Sequence, residues 1–153
     1  MRLWAALLFC LSAPVAAQPA VAYPHGYREW LHVKSMQIKL GHPLYPTFGG
    51  IHHVYANKKA AEGMKRGKFS NGSTLVLDLL EPREDAVSTS EGPRKLVAVM
   101  HKDTKQYAAT GGWGYEAFRA DSRKERLVGR QAVQACFNCH AERKSKDYVF
   151  STN

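Results

Sequence analysis

The sequence predicts an α+β fold: an antiparallel β-sheet with flanking helices and a C-terminal helix that carries a cysteine motif. Three observations lead there. Two runs rich in β-forming residues, 73–80 and 94–101, flank one polar segment, as the strands of an antiparallel pair do. A glycine-spaced aromatic segment, Gly111-Gly112-Trp113-Gly114-Tyr115, reads as a further strand. Residues 130–142 then have helical composition and contain two cysteines.

The elements follow in chain order. Met1-Arg2 is a short positive start, residues 3–11 are apolar, and small residues fill the run to Ala17. This predicts a secretory signal peptide over residues 1–17, cut after Ala17, with Ala20 and Ala22 as alternative sites. The apolar run falls short of the ~20 residues a membrane helix needs. Residues 18–153 then make a single domain, long enough to bury roughly two-thirds of its unfolded surface. It holds no second apolar stretch of spanning length, so no membrane insertion is expected after cleavage. The expected location is the periplasm. Residues 27–39 read as a helical turn leading into a strand, and 41–50 as a turn-rich segment. Residues 51–56 read as a strand. Asn57 caps a helix over 58–65 that Gly67 ends. Asn71-Gly72 turns the chain into the 73–80 strand, and 81–93, polar and proline-bearing, reads as a surface loop. The 94–101 strand follows, then a short helix from Asp103 through Ala109 and the aromatic strand. The tail at Tyr148-Val149-Phe150 is expected to pack back on the sheet.

Lysine and arginine number 22 against 13 aspartates and glutamates, a formal net charge of +9. The cations are spread along the chain with no recognition-helix pattern, which argues against nucleic acid as a partner. An acidic redox partner protein fits such a surface.

Cys10 leaves with the signal peptide, so only Cys136 and Cys139 remain. Their spacing alone allows a disulfide or half of a zinc site. The next residue decides between these, because Cys136-Phe137-Asn138-Cys139-His140 is the c-type haem attachment motif. On a helix, positions i, i+3 and i+4 share one face. Both thiols then reach the two vinyl groups along one porphyrin edge, and the His140 imidazole points to the iron. The expected cofactor is one haem c per chain. An electron-transfer cytochrome fills the sixth iron position with Met or His. The thirteen residues after His140 contain neither. Met36, Met64 and Met100 read as packing residues. His52 and His53 are adjacent on a strand and so point to opposite faces. An open sixth position is therefore expected.

The sequence resembles a known family. The residues that carry the likeness are Tyr27-Arg28-Glu29-Trp30, the run from Phe48 to Tyr55, Gly67-Lys68-Phe69 with Asn71-Gly72, Gly112-Trp113, the haem motif and Asp147-Tyr148-Val149-Phe150. They are similar to those of cytochrome P460 and its sister group, cytochrome c′-beta. The resemblance implies that enzymes of the first branch oxidise hydroxylamine, with a strand lysine cross-linked to the porphyrin and a distal carboxylate that handles protons. In this chain those places fall at Leu77 and Ala98, both apolar. Leucine cannot form the cross-link and alanine cannot carry a proton. The chain therefore resembles the cytochrome c′-beta branch. That likeness implies a homodimer, a five-coordinate haem, and binding of nitric oxide and, less readily, carbon monoxide. Phe48 with Leu77, and Ala98 behind them, would form the distal cap. Arg123 and Arg126 are candidate cations near the haem.

Overall fold

A computed structural model describes residues 19–151. The expected signal peptide and its cut after Ala17 lie outside the described residues; the alternative sites at Ala20 and Ala22 lie within them. The chain forms one five-stranded antiparallel sheet with strand order β1-β2-β3-β4-β5, a meander in which each strand pairs with the next in sequence. The strands are β1 (Leu31–Ile38), β2 (Gly50–Ala56), β3 (Thr74–Glu84), β4 (Thr89–Lys102) and β5 (Trp113–Arg119). Helical segments complete an α+β fold. Among the described residues no helix is long and apolar enough to cross a membrane.

A 3₁₀ turn at Tyr27–Glu29 precedes β1, as the sequence predicts. The β1–β2 register shifts between His32 and Lys34, a bulge that lets Val33 pack against the core. The turn-rich segment after β1 contains one short helix, α1 (Tyr45–Phe48). Helix α2 (Lys58–Arg66) has the expected ends. The Asn57 side chain accepts the Ala60 N–H, and Gly67 sits in the left-handed conformation with its N–H on the Gly63 carbonyl.

Three expectations change. Residues 81–93 are not a surface loop: β3 continues to Glu84 and β4 begins at Thr89, so the strands form a long hairpin. Pro82 and Pro93 lie within it, and the register shifts on both sides of Leu80 absorb the disruption. The tip closes through Asp85, whose carboxylate accepts the Val87 and Ser88 N–H groups and the Ser88 hydroxyl. Residues 103–109 are not a helix. Asp103 does cap a turn, through the N–H groups of Lys105 and Gln106, but the only helical residues are the 3₁₀ turn Ala108–Thr110. The C-terminal run divides into short pieces: 3₁₀ at Gly129–Gln131, π at Val133–Phe137, α3 (Asn138–His140), and 3₁₀ at Ala141–Lys146. Its backbone stays right-handed at Ala132, Phe137, Asn138, His140 and Ala141. The break is thus a widened turn, with the Asn138 N–H reaching the Val133 carbonyl five residues back.

The sheet has two buried faces. One packs Val76, Val97, Val99 and Phe118 against Val21, Tyr27 and Tyr107. Asp78 is fully buried on this side and ties the N-terminal segment to the sheet. It accepts hydrogen bonds from Tyr27 (2.8 Å), Arg28 Nε (2.8 Å) and Arg94 Nε (2.6 Å). These donors hold its carboxyl below the ordinary aspartate range against the opposing effect of burial. The other face packs Ala56, Leu75, Trp113 and Tyr115 against Ala60 of α2, Phe69, Ala132 and Val149. Cys136, Phe137 and Tyr148 sit at the edge of this second cluster.

Candidate haem site

The second face of the sheet carries the predicted site residues. Side chains two apart on a strand share a face. Leu77 therefore lies on the side of Leu75, and Ala98 on the side of Met100. Leu77 and Ala98 are direct register partners across β3 and β4, with Val54 of β2 and Ala117 of β5 beside them. These four are apolar, and the row ends on β1 at Lys34. Its central pair is only half-buried, whereas Val76, Asp78, Val97 and Val99 on the opposite face are 2% exposed or less. Phe48 ends α1 one rung along. His52 Nε2 donates to the Phe48 carbonyl at 2.5 Å, and His52 pairs with Leu79 rather than Leu77. Burial lowers the His52 pKa and favours the neutral ring, against the opposing effect of the bond to the Phe48 carbonyl.

The two histidines of β2 do point to opposite faces. His52 is buried beside α1, and His53 pairs with Glu91 at 2.8 Å. Met64 and Met100 pack against the core, and Met36 is an exposed edge residue. Arg126 pairs with buried Glu116 (3.0 Å) and with the Val21 carbonyl (2.7 Å), and Arg123 lies over the Tyr23 ring.

Cys136 lies on the π turn and Cys139 and His140 on α3. Both thiols are free; Cys136 is half-buried and Cys139 exposed. Burial pushes the Cys136 thiol up to about 11, so it stays neutral. Among the described residues no group of three or more His, Cys, Asp or Glu side chains is placed to hold a metal ion. The His140 ring packs between Tyr115 and Phe150, each with centroids 5.1 Å away. Burial lowers its pKa, which keeps the imidazole neutral.

One hydrogen bond fixes the chemistry of that imidazole. His140 Nδ1 lies 2.7 Å from the Tyr148 carbonyl oxygen. A carbonyl only accepts, so Nδ1 carries the proton and Nε2 presents a lone pair. This is the arrangement of a metal-ligating histidine. The carbonyl is delivered by an unusual turn. Asp147 and Tyr148 have φ of 50° and 64°, two successive non-glycine residues in the left-handed region. Such conformations cost about 1–3 kcal/mol each and persist only where the surroundings enforce them. Gly111 makes room, since a Cβ there would come within 2.2 Å of the Tyr148 ring.

These residues fit a haem. A neutral imidazole with Nε2 free, two nearby thiols and an apolar strip on the adjoining sheet face are what the group requires. The buried Tyr115 hydroxyl, beside the His140 ring, has no hydrogen-bond partner among the described residues. It is available to a polar atom of a bound group. Sequence reasoning named the cysteines and His140 but not the Tyr148 carbonyl, a main-chain atom that leaves no trace in residue type. The family model described as Cytochrome P460 matches residues 24–151. No curated protein matches the chain.

Proposed function

Because the chain belongs to the cytochrome P460 family and is therefore a haem protein, we propose that it binds nitric oxide, and less readily carbon monoxide, at a five-coordinate c-type haem, as a scavenger, carrier or sensor. Cys136 and Cys139 would hold the haem through their thiols. His140 would supply a nitrogen ligand to its iron through Nε2, with its tautomer set by the Tyr148 carbonyl. When bound, the haem supplies an iron whose remaining position takes a small neutral diatomic.

The observation that carries this reading is the Leu77–Ala98 register pair. Neither side chain can cross-link, donate a proton or accept one. With Phe48 they make an apolar cap. A cap without donors gives no hydrogen bond to bound oxygen or water, while nitric oxide needs none. We further propose export to the periplasm, a homodimer, and an acidic redox partner drawn by the net charge of +9.

Absorption and resonance Raman spectra of the ferric and ferrous holoprotein test the reading. The expected result is a high-spin five-coordinate ferrous haem that converts fully on adding nitric oxide. A low-spin ferrous spectrum indifferent to nitric oxide overturns it. The second reading, a hydroxylamine-oxidising enzyme, is tested by Leu77→Lys with Ala98→Glu. Turnover is expected in the double variant and not in the parent; turnover in the parent would favour the enzyme.

A further inference from the structure

The strained turn that presents the Tyr148 carbonyl is held by charges remote from the haem motif in sequence. The Asp147 carboxylate spends both oxygens on it. Oδ2 accepts the Phe69 N–H at 2.9 Å, and Oδ1 accepts Lys102 Nζ at 2.6 Å. The Lys102 side chain is only 6% exposed and that of Asp147 15%. Lys102 also donates to the Gly111 carbonyl at 3.0 Å. The Asp147 carbonyl accepts Trp113 Nε1 at 2.9 Å. The start of β5, the end of β4 and the loop after α2 thus converge on one aspartate. The next residue of the chain then holds the His140 proton.

We propose that Asp147, locked by Lys102, is a positioning residue for the axial ligand. By fixing the turn it sets the length of the His140–Tyr148 hydrogen bond, and so the rotation of the imidazole and the electron density at Nε2. A short, well-aligned bond from Nδ1 gives the ring imidazolate character and strengthens it as a ligand. The assignment rests on His140 being the iron ligand. It does not depend on which molecule the iron binds. A purely structural role would lower stability without changing the haem–histidine bond.

The experiment uses holoprotein variants Asp147→Asn, Asp147→Gly and Lys102→Met. Asparagine tolerates the left-handed turn but carries no charge for the ammonium and has one acceptor oxygen in place of two. Glycine adopts the turn freely, so Asp147→Gly adds no backbone strain while removing both side-chain anchors. The measurements are the ferrous iron–histidine stretching band, the haem reduction potential, and the exchange rate of the His140 Nδ1 proton in haem-free protein. The expected result is a lower stretching frequency, a raised potential and at least tenfold faster proton exchange in Asp147→Gly, with Asp147→Asn and Lys102→Met intermediate. A stretching band and potential equal to those of the parent in Asp147→Gly with attached haem overturn the proposal. So does unchanged proton exchange. If the parent lacks an iron–histidine band, the five-coordinate reading falls; the exchange measurement still reports on the clamp.

Discussion

At the residue scale, Asp78 shows how one buried charge fixes a chain terminus. Two arginines and a tyrosine converge on it. Replacing a buried partner leaves its neighbours uncompensated, so Asp78→Ala is expected to lower unfolding free energy by about 3–5 kcal/mol in urea titrations. Its sign with pH follows from its lowered pKa. The stability it contributes is complete above the unfolded aspartate value of 3.8 and is lost as pH falls through the lower folded value. Acid titration followed by circular dichroism should show a steep loss below about pH 4 that Asp78→Asn flattens. The Cys136–His140 motif was legible at this scale because it consists of fixed residue types at fixed spacing. The left-handed pair at Asp147-Tyr148 was not, because neither residue announces that conformation as glycine would. Tertiary anchors impose it.

At the scale of elements, legibility follows local chemistry. Helix α2 was readable from both ends because its caps, Asn57 and Gly67, are local and act through their own backbone. The outer half of the β3–β4 hairpin was not. Glu81, Pro82 and Arg83 have the composition of a loop, and they remain strand because pairing to Ser90 and Glu91 outweighs their poor propensity. The hairpin depends on its tip, so Asp85→Ala should raise amide hydrogen-exchange rates across 81–93 with no change in the haem spectrum. The C-terminal run was read as one helix because its composition is helical throughout. The π turn at Val133–Phe137 is a detail of hydrogen-bond register that composition does not encode.

At the scale of the molecule, the sheet divides labour between its faces. One is closed by the N-terminal segment and its charge network; the other gathers the cysteines, His140 and the apolar strip. The strands themselves were foreseen, and with them the fact that Leu77 and Ala98 could meet. Their pairing in register needed the structure. The net charge acts over the whole surface. Electron transfer with an acidic partner protein should therefore slow by tenfold or more between ~10 mM and ~150 mM salt. Stopped-flow measurements check this; a salt-independent rate would argue against an acidic partner.

The meander also sets an order of events during folding. Every strand pairs with its neighbour in sequence, so the sheet assembles through local hairpins and waits for no distant strand. The cysteines come after all five strands. The C-terminal segment therefore docks on a sheet whose strands precede it, bringing Asp147 to Lys102.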